Sequence, residues 1–164
     1  MAANSKNVVK ADPKGIFGTA EVYLTGASML ANRLPDLMFP WVMCSAFSLE
    51  LYLKCLILVE RGTLEKGHDL ADLFSKTTPE SQKAIRASYE SHKAKMEAMY
   101  AAVKGIPAPK TDFDYVLHIS ANAFVKFRYA FEQGTGGGDF GWSASPISEC
   151  VRGRLLELHP DWRS

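Results

Sequence analysis

The chain is short of cysteine, of net charge and of strand-like alternation, and each shortage removes a class of protein. Cys44, Cys55 and Cys150 are odd in number and show no CxxC spacing, so neither a disulfide framework nor a zinc knuckle is indicated. Reduced thiols in a reducing, cytoplasmic setting are the expectation. The formal net charge is +1, so no overall basic field advertises nucleic-acid binding, although a local patch would serve an RNA. The opening "MAANSKNVVKADPKG" lacks the apolar segment of a secretory signal. The run around "CLILV" is interrupted by charges and is expected to be too short for a bilayer, so no membrane partner is expected. No His/Asp/Glu spacing and no Ser/His/Asp order points to a metal or a hydrolase triad, and neither metal nor cofactor is expected.

What is present is helical periodicity. At 164 residues the chain suits one domain with a core, here taken as a polar tail over 1–14 and a single domain over 15–164. From Ile16 to Leu34, apolar or small residues recur at Phe17, Ala20, Leu24, Ala27, Ala31 and Leu34. Pro35 and Pro40 punctuate the chain, and a second helix is expected from Trp41 to Arg61, stopped by Gly62. It is apolar over most of its circumference, which places it at the centre of a bundle. "KGHDLADLFSK" reads as a short helix with Asp69 supplying negative charge at its first turn.

Thr78 and Pro79 then read as N-cap and first position of a helix running to about Val103. After the breaker "KGIPAPKTD", a further helix is expected from Asp112 to Gln133 along the stripe Phe113, Val116, Ser120, Phe124, Phe127 and Phe131. "GTGGGDFGWSASP" reads as a flexible connection. It lacks the Lys and Ser/Thr of a phosphate-binding loop and follows no strand. Ser145 and Pro146 open a last helix that closes before Pro160. The fold class is all-α, an antiparallel bundle of about five helices.

Within "FSLELYLKCLILVERG", Glu50, Lys54 and Arg61 fall near one face of a greasy helix. They form either its wetted side, as an intrahelical ion pair, or one wall of a site. The succession "SAFSLELYLKCLILVERG", "KGHDLADLF" and "AFVKFRYAFE" resembles a bacterial branch of the HEPN domains over roughly residues 16–133. These are small helical bundles, usually dimeric, many of them RNases. The resemblance implies an HEPN-like bundle, a homodimer, and association with RNA or a nucleotide. It also implies a metal-independent RNase of a toxin–antitoxin or defence system, with an antitoxin protein as partner. In the RNase members an Arg and a His separated by four to six residues act together, the Arg holding phosphate and the His moving a proton.

Arg61/His68, Arg86/His92, Arg152/His159 and Arg154/His159 all match that spacing here. At the place where the family's pair is expected, Arg128 is followed by Glu132 and by no nearby His. The candidate catalytic residues are therefore Arg128, His68 and Arg61. Glu50, Lys54, Tyr129 and Glu132 are the ligand-binding candidates, Arg128 gripping a phosphate and Tyr129 stacking a base. Glu50, Lys54, Arg61, His68 and Arg128 are expected to meet in one partly buried cluster. The other reading is a non-catalytic helical module that binds a partner protein, with Arg128–Glu132 an internal salt bridge, His68 packing a helix junction, and His92 and His159 in structural roles.

Overall fold

The computed structural model describes residues 11–34, 36–101, 110–121 and 144–163. These form six α-helices: α1 (Pro13–Ala31), α2 (Met38–Arg61), α3 (Leu70–Ser75), α4 (Pro79–Ala101), α5 (Phe113–Ser120) and α6 (Ser145–Leu158). A 3₁₀ turn (Pro160–Trp162) follows, and there is no strand among the described residues. The protein is an all-α bundle.

Local chemistry sets most helix ends. Asp12 caps α1, its carboxylate accepting from the Lys14 and Gly15 amides, with Pro13 at the first helical position. The helix thus starts three residues before Ile16. Pro40 does not delay α2, which begins at Met38: it sits in the first turn, where an N–H would have no intrahelical acceptor. Gly62 ends α2 in the left-handed region at φ 70°, a conformation that costs a side-chain-bearing residue about 1–2 kcal/mol. Thr78 accepts from the Ser81 amide at 3.3 Å, and Glu60 of α2 in turn accepts from the Thr78 amide and hydroxyl, both at 2.8 Å. One carboxylate therefore fixes the start of α4 onto the end of α2. The expected helix over 112–133 is present as α5 to Ser120; its remainder lies outside the described residues.

α2 is the centre. Leu49, Leu53, Leu56 and Ile57 are fully buried, and each contributes roughly 1.5–3 kcal/mol of burial. Its length and apolar composition are those of a helix that could cross a bilayer, which corrects the expectation of too short a run. In the bundle most of that apolar window is buried by neighbouring helices.

Contacts give the directions of packing. Cys55 donates its thiol to the Pro13 carbonyl, Phe17 meets Tyr52 and Tyr23 meets Phe47, so α1 runs antiparallel to α2. Arg154 reaches Glu80 and Ser81 while His92 reaches Glu149, so α4 and α6 are antiparallel. By contrast, Ser45 pairs with Ser145 and Ser48 with Ser148, which sets α2 and α6 parallel. Small hydroxyl-bearing residues let these two helices approach closely while satisfying their own polar atoms. α5 packs under α4, where the Tyr89 hydroxyl donates to the Thr111 carbonyl at 3.0 Å.

Two buried acids in this core give the fold an alkaline limit. Burial pushes the Cys55 thiol from its ordinary 9.0 up to about 12, and the Tyr89 phenol from 10.0 up to about 12. Below those ordinary values both groups are protonated, folded or unfolded, and their stabilisation is complete. As pH rises toward 12 the unfolded chain releases these protons first, so stability falls. Urea midpoints measured from pH 8 upward should decline across that window, with a shallower decline in Cys55→Ala. A flat profile would contradict the buried placement of both groups.

Candidate functional site

Glu50 lies on the second half of α2 with 1% of its surface exposed, an unusual place for a carboxylate. Its Oε1 accepts from Lys54 Nζ at 2.8 Å, one turn along the same helix, and contacts His68 Nδ1 at 2.9 Å. Lys54 is itself largely covered, at 13% side-chain exposure, so the pair is not a wetted helix face. The other Glu50 oxygen, Oε2, is buried and has no hydrogen-bond partner among the described residues. An unmet buried acceptor of this kind costs about 1–3 kcal/mol.

His68 arrives from the segment between α2 and α3. Asp69, the next residue, accepts from the Ala71 and Asp72 amides at 2.9 Å each and thereby fixes the start of α3. The Leu70 amide donates to the Ala121 carbonyl at the end of α5, which ties the same point to a third helix. The backbone immediately after His68 is therefore held at two successive residues. A carboxylate oxygen only accepts, so the contact places a ring proton on Nδ1, and in the neutral ring Nε2 is then the acceptor. The side chain is 56% exposed, so this nitrogen belongs to an accessible ring anchored on a buried charge.

Arg61 is not a partner of Glu50. Its guanidinium donates to the Thr77 carbonyl at 3.3 Å, drawn there by the turn that joins α3 to α4. That turn gathers carbonyl acceptors, and Gln82 donates to three of them, on Phe74, Ser75 and Thr77. Of the five residues expected together, the structure brings Glu50, Lys54 and His68 into contact and directs Arg61 elsewhere. Arg128, Tyr129 and Glu132 lie outside the described residues.

The other Arg/His spacings are absorbed by the fold. Arg86 grips both oxygens of Asp114, at 2.9 and 2.7 Å, and lies over the Phe113 ring. Its guanidinium holds the Asp114 carboxyl below the usual carboxylate range. His92 meets Glu149 at 3.1 Å. Arg154 donates to Ser81 and Glu157, at 2.9 and 3.0 Å, and His159 stacks on Trp162. Arg152 holds Glu21 through Nε at 2.6 Å and Nη2 at 3.1 Å, and the buried Tyr52 hydroxyl donates to the same carboxylate. This Glu21–Arg152–Tyr52 network was missed by sequence reading. Its members stand on three helices and no local spacing links them.

Among the described residues no group of His, Cys, Asp and Glu is arranged to hold a metal ion. The cluster can orient a histidine, bury a negative charge beside a lysine, and accept one further donor at Oε2. The chain matches no family model, no curated protein and no solved structure.

Burial of the Glu50–Lys54 pair has a measurable consequence. Lys54→Met leaves a buried carboxylate with His68 alone and should cost about 3 kcal/mol or more in urea unfolding. The double variant Glu50→Leu/Lys54→Met should recover most of that loss, because it removes both charges. A single-variant cost of a few tenths, the size of a surface i,i+4 pair, would show that the pair is solvated.

Proposed function

We propose that this chain is an HEPN-like module that associates with RNA or a nucleotide through the face of the bundle carrying His68. The observation that carries the reading is the Nδ1 contact of an accessible His68 with a buried Glu50. A histidine fixed in one tautomer by a buried carboxylate is prepared to exchange a proton through Nε2. In the cleaving form of the reading, His68 takes the proton of a ribose hydroxyl or returns one to the leaving oxygen, with no metal required. Lys54 keeps the Glu50 charge in place. Arg128 is the phosphate grip and Tyr129 the stacking surface, both taken from the sequence motif, with Glu132 beside them. The setting that accompanies the resemblance is a cytoplasmic homodimer in a toxin–antitoxin or defence system.

A second reading, a non-catalytic module that binds a partner protein, is favoured by two observations. The arginines of all four Arg/His spacings donate to protein acceptors, which leaves His68 without an arginine partner among the described residues. On α1, Val22 and Met29 are each 69% exposed and stand two turns apart on one face. Exposed apolar residues so placed suit contact with another helix.

The deciding experiment incubates purified protein with a mixed RNA pool in EDTA and measures RNA and nucleotide binding at physiological salt in parallel. Wild type, His68→Ala and Arg128→Ala are compared, each checked for folding by circular dichroism. Cutting by wild type that is lost in a folded variant is the expected result for an RNase. Binding without cutting leaves a nucleic-acid-binding module. If wild type neither cuts nor binds, the RNA reading fails and the protein-interaction reading takes its place.

A further inference from the structure

A second polar site, formed by other residues than the Glu50–His68 cluster, lies where side chains of α1, α4 and α6 meet. A groove of about 430 Å³ is lined there by Glu21, Thr25 and Ser28 of α1, His92 of α4, and Glu149 and Arg152 of α6. Its size falls in the lower part of the range for small-molecule sites, about 300–1,000 Å³. On α1 the polar lining residues recur at offsets of four and three, with Leu24 beside them, so one helical face supplies them.

The groove is built of both charge signs. Glu21 and Glu149 bring two negative charges, Arg152 brings one positive, and His92 brings none or one. The sum lies between −1 and 0. A phosphate-rich ligand finds no excess positive charge here, and a polycation finds little excess negative charge.

The groups are also held in place. Tyr52 anchors Glu21 from the core and also meets the Arg152 guanidinium, while Glu21 takes its Nε and Nη2, so the guanidinium is fixed by two residues and still has more N–H groups than these contacts use. That side chain is 40% exposed. One turn before Arg152 on α6, Glu149 meets His92 of α4 through Oε2 and Nε2 at 3.1 Å, and Oε1 of that half-exposed carboxylate has no described partner. His92 is steadied from behind, its Nδ1 lying 3.6 Å from the buried Cys150 thiol. Cys150 is no nucleophile in this arrangement, since burial covers it and pushes its thiol up.

We propose that this groove binds a small zwitterion, a free amino acid or dipeptide, with its carboxylate on Arg152 and Thr25 and its ammonium on Glu149. A fixed guanidinium one helical turn from a carboxylate that keeps one oxygen available is the complement of a molecule carrying one charge of each sign. The site shares no residue with the His68 cluster, and it stands whether or not that cluster binds RNA.

The test is ligand-observed NMR on the full chain with the twenty free amino acids and diglycine at millimolar concentration. The best binder is then compared with its N-acetyl and carboxamide derivatives, which keep one charge each. At least one zwitterion should bind, and either derivative should bind about tenfold more weakly, the loss of one charge-assisted contact. Glu149→Gln, a change at an exposed position, should weaken binding by a similar factor. Arg152→Lys keeps the charge that faces Glu21 but loses the planar edge, and should weaken it too. Absence of binding by every member of the panel overturns the proposal. Equal binding by the capped derivatives, or unchanged binding in both variants, overturns it as well.

Discussion

Everything in this molecule is arranged around the need to cover α2 on all sides. A helix of this composition has little to offer water, and α1, α3 and α6 cover most of it. Each meets it with a different chemistry. α1 brings Phe17 and Ala20 against Tyr52 and its neighbours, and α6 brings serines and small residues. The exception is the strip at Glu50 and Lys54, where the covering element is the segment that carries His68. A buried charge on the central helix thereby becomes the point at which a chain crossing from α2 to α3 is held.

The sequence made α2, and much of the bundle, readable because the relevant signals are short. Thr78–Pro79, Pro146 and Gly62 each act within one turn of themselves, and each sits where the structure uses it. Asp12–Pro13 is a signal of the same kind, hidden by the polar residues before it. Pro40 misled in the opposite direction, since a proline breaks a helix only where its missing N–H would have been used.

The candidate site was legible to the extent that its contacts are local. Glu50 and Lys54 are one turn apart, and His68 is 18 residues from Glu50 with a helix cap beside it. Arg61 lies on the same stretch of helix but answers to carbonyls gathered by the α3–α4 turn, a competition that helical spacing does not encode. Glu21 and Arg152 are 131 residues apart, and Arg86 and Asp114 are 28 apart. Such pairs are set by how helices pack, and a single chain read for periodicity carries no mark of them.

The parallel seam between α2 and α6 joins serines 100 residues apart in the chain. On the ribosome, α2 therefore emerges long before the helix that closes its seam exists. Through that interval the side of α2 that α6 will cover stands open, while α1 and α3 cover other parts of the helix. The hydroxyls along that side make the waiting surface tolerable in water, since Ser45 and Ser48 can bond solvent until Ser145 and Ser148 replace it. What reads in the finished fold as a close-packing device is, during synthesis, a wettable edge on a helix that would otherwise invite aggregation.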